Sequence, residues 1–225
     1  PEPVQVYSTG VSEPVVAVLE PVPEEELIGR ARYEASGFIE AGDELAGEGD
    51  NAGARAEYDQ ALERLPEADH PVVLASVAAT YVNDGDLEQA RATLEKSLAI
   101  DESHVESLKI LATIVAAEAD LEAAEAVLAK IPEDEKLHPT TTINMGLANF
   151  NKGDMEQAKT YLDRTVRDHP DVAPTYYSRG LVNLNLGDSD AAKADFERFI
   201  ELDPKSPNAA EAKEYLGYLS GEGSG

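Results

Sequence analysis

The sequence predicts an all-α solenoid of paired antiparallel helices, with an extended N-terminal arm and a C-terminal capping helix. A short Gly-Asp motif recurs every 34 residues through most of the 225-residue chain, and fixed periods of about 20 to 50 residues are typical of repeat architectures. Between these motifs, apolar residues follow helical spacing. The first 23 residues instead contain five prolines and two Val-rich segments, which suit extended backbone.

The Gly-Asp motif marks the turn between two helices. Its clearest copies begin at Gly85 and Gly153, where Gly ends one helix and the following Asp caps the next. The alanines that close four copies are 34 residues apart: Ala90, Ala124, Ala158 and Ala192. A fifth copy closes at Ala54, 36 residues before Ala90, which predicts two inserted residues around 66–70.

The last helix pair shows the pattern best. Its first helix is predicted to end at Gly187, and its second helix carries Ala192 and Phe196 on one apolar stripe before Pro204 ends it. A row of small residues occupies equivalent positions in the first helices: Gly42, Ala78, Ala112, Gly146 and Gly180. We expect this row to let the paired helices approach closely.

These positions resemble the tetratricopeptide repeat (TPR) family, whose 34-residue unit has a small residue in its first helix, Ala and an aromatic in its second, and a closing Pro. Gly180, Ala192, Phe196 and Pro204 are all in place. The resemblance covers about residues 35–206 and implies a right-handed superhelix. The expected organisation is an arm at 1–23, a solenoid at 24–206 with repeats at about 35–70, 71–104, 105–138, 139–172 and 173–206, a capping helix at 207–220 and a Gly-rich tail at 221–225.

The third repeat departs most from the family pattern. Lys136 replaces its closing Pro, and Pro132 falls within its second helix. Because Pro breaks a helix interior, we expect an irregularity in the superhelix at residues 132–137.

Composition excludes several classes of function. The chain has 18 Lys and Arg against 45 Asp and Glu, a formal net charge of −27, which opposes binding to nucleic acid. The absence of Cys excludes a disulfide framework, a thiolate metal site and a cysteine nucleophile. We expect no transmembrane segment, since no apolar run is long enough. The expected location is extracellular or in a bacterial cell envelope, with a cytoplasmic location as the alternative.

The resemblance implies a concave surface lined by the first helices, which the family uses to hold peptides or partner helices. Only Lys109 among the candidates is basic, which disfavours the acidic C-termini that some TPR proteins clamp. An apolar patch that includes Phe150 and Tyr177 is large enough to predict a partner, although packing on the next repeat is the alternative. The candidate peptide-binding residues are Val72, Ala75, Ala79, Asn83, Lys109, Ile143, Leu147, Phe150, Asn151, Tyr177, Leu181, Leu184 and Asn185.

The N-terminal arm is a candidate occupant of this surface. Fully extended, twenty residues reach about 66 Å, more than the roughly 50 Å that five first helices span. Docking on another copy would join subunits head to tail into a homopolymer or filament. The alternatives are an arm folded back on its own groove and a flexible tether. The expected docking residues are Val4, Val6, Tyr7, Val15, Val16, Val18 and Leu19.

No catalytic or metal-binding constellation is recognisable, so we expect no enzyme activity, no metal and no cofactor. His70, His104 and His138 are 34 residues apart, and neighbouring repeats place them about 10 Å apart, too far for one metal ion. A role in forming the turns is expected instead.

The sequence therefore predicts a non-enzymatic protein–protein interaction scaffold that assembles with itself through its arm. The alternative is a monomeric adaptor of the envelope or periplasm that binds an apolar peptide segment of another protein in its groove.

Overall fold

A computed structural model describes residues 22–221 and the backbone of residues 4–6 and 15–17. The described helices are α1 (Glu24–Glu48), α2 (Asn51–Leu62), α3 (His70–Asn83), α4 (Leu87–Ile100), α5 (Val105–Ala117), α6 (Leu121–Leu128), α7 (Pro139–Lys152), α8 (Met155–Asp168), α9 (Ala173–Leu186), α10 (Ser189–Leu202) and α11 (Ala209–Leu219). A 3₁₀ turn at Glu67–Asp69 lies where two residues are inserted.

The helices pack in chain order, each against its neighbours in the sequence. The hydrophobic core is accordingly divided among neighbouring helices. One cluster joins α1, α2 and α3 around Tyr58, and another joins α9, α10 and α11 around Phe196 and Phe199. This nearest-neighbour packing is characteristic of a solenoid, and it confirms the predicted fold class, including the C-terminal helix that covers the last repeat.

The turns of the repeat form as the Gly-Asp motif predicts. Gly153 and Gly187 end α7 and α9 with φ of 89° and 79°, a left-handed conformation that Gly adopts without steric cost. In the third repeat Ala119 takes this position with φ of 57°. The Asp of each motif accepts a hydrogen bond of 2.9–3.1 Å from the backbone N–H three residues later: Asp50, Asp86, Asp120, Asp154 and Asp188.

The row of small residues sets the spacing within each helix pair. A Cβ at Gly42 would lie 2.5 Å from the Tyr58 ring, and one at Gly180 would lie 2.8 Å from the Phe196 ring. Ala78 is completely buried at the equivalent position in the second repeat. The predicted close approach of the paired helices is therefore confirmed.

The arm contains two short strands, β1 (Val4–Val6) and β2 (Val15–Ala17). They pair antiparallel, with Gln5 opposite Val16. The backbone is extended over these six residues, as expected, but the two strands run in opposite directions. The two strands therefore do not continue in one direction, as the expected reach of about 66 Å requires.

The third repeat is irregular, as Pro132 predicts. Its second helix, α6, has 8 residues, whereas α4, α8 and α10 each have 14. Residues 129–138 run instead as a segment of turns before α7. This segment, which we call the third-repeat loop, forms one wall of the groove described next.

Candidate peptide-binding groove

A groove of about 540 Å³ crosses the first helices of the second and third repeats. α3 and α5 form its floor, and the third-repeat loop and the start of α7 form its wall. Most of the surface in this groove is apolar, as in many ligand sites. Its lining residues are Ala79, Val82, Asn83, Glu106, Lys109, Ile110, Thr113, Lys136, Leu137, His138, Pro139 and His169.

Three of the predicted binding residues lie together in this groove: Ala79, Asn83 and Lys109. Their positions within the repeat, on α3 and α5, were sufficient to predict that they face the groove. The wall residues, among them Lys136 and Leu137, were missed because repeat register does not describe a loop. The expectation of one basic groove residue is also wrong, since Lys136 contributes a second cation.

Carboxylates neutralise Lys109. Its Nζ atom lies 2.6 Å from Oε2 of Glu135 in the third-repeat loop and 3.8 Å from Oε2 of Glu106 one turn earlier on α5. The Lys109 side chain is only 21% exposed, so this pairing is partly shielded from solvent. Together with Lys136, the groove therefore has two cations and two nearby carboxylates, and its local charge is balanced.

The wall of the groove is held by α8. An Nη2 group of Arg164 donates to the carbonyl oxygen of Glu135 at 2.9 Å. The Nε2 group of His169 donates to the carbonyl oxygen of Leu137 at 2.8 Å. Because these bonds fix the loop backbone, they position Glu135 against Lys109 and Leu137 against the groove.

Several other predicted binding residues serve mainly in packing. Ile143 and Phe150 pack against a cluster that includes Leu162 and Val182. Ala75 is 2% exposed. The expectation that Phe150 belongs to an open apolar patch is therefore corrected in favour of packing between repeats.

The C-terminal part of that expected patch is covered in the same way. Leu181 and Leu184 pack in the cluster that α11 completes, and the Tyr177 hydroxyl donates to Glu211 of α11 at 2.8 Å. Burial, together with the hydrogen bond to Glu211, raises the pKa of Tyr177. Solvent-exposed positions among the remaining predicted residues are Val72, Leu147, Asn151 and Asn185.

Three of the seven expected docking residues of the arm, Tyr7, Val18 and Leu19, lie outside the described residues. Val4, Val6, Val15 and Val16 belong to β1 and β2, of which the backbone alone is described.

An ion-pair cluster that the sequence did not reveal joins α8, α9 and α10. Arg179 donates to Asp195 at 2.6 and 2.9 Å and to Asp163 at 2.8 Å, and Asn183 donates to Asp195 at 2.9 Å. Burial raises the pKa of the Asp195 carboxyl, and the bonds from Arg179 oppose that rise. Because carboxylates are abundant in this chain, the sequence alone did not indicate which of them form this cluster. The cluster fixes three helices relative to one another.

The histidines act in the turns, as expected. Nδ1 of His104 accepts from the backbone N–H of Ser107 at 3.4 Å, and Nδ1 of His138 accepts from that of Thr140 at 3.3 Å. Both residues are therefore N-caps, of α5 and α7. Within the described residues, no group of three or more His, Cys, Asp or Glu side chains is arranged to hold a metal ion.

The fold and the groove define an all-helical repeat solenoid of the protein-binding class. Two family models described as tetratricopeptide repeat match residues 45–109 and 138–217, and the chain belongs to the tetratricopeptide repeat family. Members of this family are generally non-catalytic interaction modules, and this chain is a protein-interaction scaffold. The interval between the two matches contains residues 129–137 of the third-repeat loop.

Solved structures share this fold. The structure from the functional characterisation of Pseudomonas aeruginosa PilF has 19% identity and a TM-score of 0.71, and the match covers 85% of this chain and 86% of that one. MamA from Desulfovibrio magneticus RS-1, from residue 41 to the end, has 17% identity and a TM-score of 0.61, with 77% and 97% covered. Another MamA structure has 22% identity and a TM-score of 0.59, with 79% and 94% covered.

No curated protein matches the chain. Among the described helices, none combines the length and the apolar character needed to cross a membrane.

Proposed function

We propose that this protein is a self-assembling scaffold in which the groove of one copy binds the Val-rich arm of another. The observation that carries the proposal is the groove itself, which is apolar and has balanced charge. A site with these properties favours an uncharged apolar segment, because a charged ligand would lose its hydration in an apolar groove that has no net counter-charge.

The arm has the composition that such a site requires. Residues 4–12 and 14–19 contain no charged side chain, in a chain whose net charge is −27. An isolated two-stranded hairpin is marginally stable in water, so β1 and β2 gain stability when a second surface covers them. Docking of the arm on a second copy would join two different surfaces, so each added copy keeps a free arm or a free groove for the next one.

The same groove supports a second candidate function, in which a monomeric adaptor binds an apolar segment of a different protein. The balanced charge favours this ligand for the same reason. The two candidates differ in one observable property, because only self-assembly requires the arm.

Light scattering of the full chain in low and high salt tests the proposal. Salt screens the repulsion between acidic copies, so the molar mass is expected to rise with salt and with protein concentration. Deletion of residues 1–23 and the substitution Ala79→Glu in the groove are both expected to give a monomer. Ala194→Glu, at an exposed position of α10, is the matched control and is expected to assemble.

Circular dichroism of each variant confirms that the solenoid remains folded. A full chain that is monomeric under all these conditions would contradict self-assembly. The adaptor would then be tested by titrating a fluorescent Val-rich peptide with no charged residue against the wild type, Ala79→Glu and Ala194→Glu. If the wild type and Ala194→Glu bind the peptide and Ala79→Glu does not, the groove is supported as the binding site.

A further inference from the structure

The two paired strands of the arm, which we call the hairpin, have one wholly apolar face. Alternate residues of a strand lie on opposite faces of a sheet, and directly paired residues lie on the same face. The register of β1 and β2 therefore places four apolar residues together on one face, which we call the valine face: Val4, Val6, Val15 and Ala17. Gln5 and Val16, which pair with each other, lie on the other face.

The groove offers few partners to the backbone of a single strand. Its floor consists of α3 and α5, and the backbone groups of a helix interior are already bonded along the helix. Polar side chains of the groove are also bonded within the chain. Lys109 pairs with Glu135 at 2.6 Å, the Thr113 hydroxyl donates to the carbonyl oxygen of Lys109 at 3.0 Å, and Nε2 of His169 donates to that of Leu137 at 2.8 Å. A single strand in this groove would leave buried backbone groups without partners, which is unfavourable.

A paired hairpin avoids most of this cost, because each strand supplies backbone partners to the other. The groove in turn would cover a hairpin that is marginally stable alone in water. We infer, on the basis of the proposed function, that the ligand of the groove is the folded hairpin of a second copy, with the valine face against α3 and α5. The other face, which contains Gln5, stays towards solvent.

The length of chain between the hairpin and α1 favours a second copy over the same copy. By repeat register, Ala79 in the groove is equivalent to Asp43 on α1. α1 begins at Glu24, 19 residues earlier, which is about 28 Å along the helix axis. The step from α1 to α3 adds about 10 Å sideways. Only seven residues join Val16, at the centre of the hairpin, to the start of α1, and they span at most about 25 Å.

A disulfide across the hairpin distinguishes docking of the hairpin from docking of a single strand. The chain contains no cysteine, so the double variant Gln5→Cys with Val16→Cys can form one bond within a copy, on the face away from the groove. Directly opposed residues lie about 4.5–5.5 Å apart at Cα, a separation that a disulfide spans. Oxidised glutathione closes the bond and a phosphine reduces it, and mass spectrometry of the denatured protein confirms that it lies within one copy.

Light scattering at high salt then gives the protein concentration at which half of the full-length copies assemble. A hairpin that is already closed loses less conformational freedom on docking, so the oxidised variant is expected to assemble at about three- to tenfold lower concentration than the reduced one. A single docked strand would require the hairpin to open, and the oxidised variant would assemble less readily. Equal or weaker assembly of the oxidised variant would overturn the inference.

The same substitution at two neighbouring residues tests the valine face. Val15→Thr places a hydroxyl group on the valine face, and the matched control Val16→Thr places it on the other face. An unpaired hydroxyl is unfavourable in an apolar site, so Val15→Thr is expected to raise the assembly concentration about fivefold, and Val16→Thr to change it by less than about twofold. Equal effects of the two substitutions would contradict the assignment of the valine face.

The behaviour of the wild type separates failure of this inference from failure of the proposed function. A wild type that stays monomeric contradicts self-assembly and the hairpin ligand together. If the wild type assembles only when residues 1–23 are present, and the oxidised variant assembles no better than the reduced one, self-assembly through the arm stands and the hairpin as its docked form is refuted.

Discussion

Replacement of Gly180 by Ala tests whether close contact between paired helices, more than helix propensity, controls the stability of the repeat. A Cβ at this position would lie 2.8, 2.9 and 3.0 Å from three carbons of the Phe196 ring. Phe196 is fully buried, and its ring stacks on Tyr215 with centroids 5.1 Å apart. The ring therefore has little room to move away.

Two contributions of opposite sign determine the result. Ala stabilises an open helix position by about 0.5–1 kcal/mol relative to Gly. The new carbon would lie roughly 0.7 Å inside ordinary carbon–carbon contact, and overpacking of this kind costs about 1–3 kcal/mol. We expect Gly180→Ala to lower the free energy of unfolding by about 1–2 kcal/mol.

Gly37→Ala is the matched control. Gly37 lies within α1, and nothing beyond its chain neighbours and the backbone of its own helix lies within 4 Å of its Cβ position. Only the propensity contribution therefore applies, and a gain of about 0.5–1 kcal/mol is expected. Urea denaturation followed by circular dichroism measures both variants, and equal slopes make their midpoints comparable. If the two midpoints shift in the same direction, the steric argument is wrong.

Three further predictions follow from the described contacts. Asp154→Ala removes the N-cap of α8 and is expected to lower the free energy of unfolding, measured by urea denaturation, by about 1 kcal/mol. The control Asp134→Ala, in the exposed third-repeat loop, is expected to change it by no more than about 0.5 kcal/mol. Similar losses in the two variants would contradict the capping role. Phe196→Ala is expected to cost about 3–5 kcal/mol, and a loss below about 1 kcal/mol would mean that this core collapses around the cavity. Arg32 holds the pKa of Asp69 below its ordinary value. The ion pair between these residues therefore stabilises the fold at neutral pH, and this stabilisation is lost as Asp69 is protonated below about pH 4. Between about pH 7 and pH 3, the fall in Tm should be smaller for Asp69→Asn than for the wild type.

The local features of the fold were predictable because they depend on neighbours in the sequence. The cap at Asp188 needs only the backbone N–H three residues later, and the left-handed turn at Gly187 needs only the absence of a Cβ. The 34-residue period then indicates that such pairs stack in order. The shortened α6 was also readable, since Pro132 prevents the helix from continuing.

The candidate groove was only half predictable. Ala79 and Lys109 follow from the register of the first helices. Lys136, Leu137 and His169 do not, because they reach the groove through a loop whose path depends on Arg164 and on other bonds between distant residues. The sequence also indicated an open patch at Tyr177, since nothing in its periodicity reveals that α11 covers this side chain.

The sequence by itself determined the repeat, the helix boundaries set by Gly, Asp and Pro, and the acidic character of the chain. These properties arise from short-range sterics, hydrogen bonds and composition. Only the tertiary structure decided which apolar side chains are free to meet a ligand and how Glu135 neutralises Lys109. Each of these depends on which residues far apart in the chain come into contact, and the same apolar or charged residue serves packing or binding according to those neighbours.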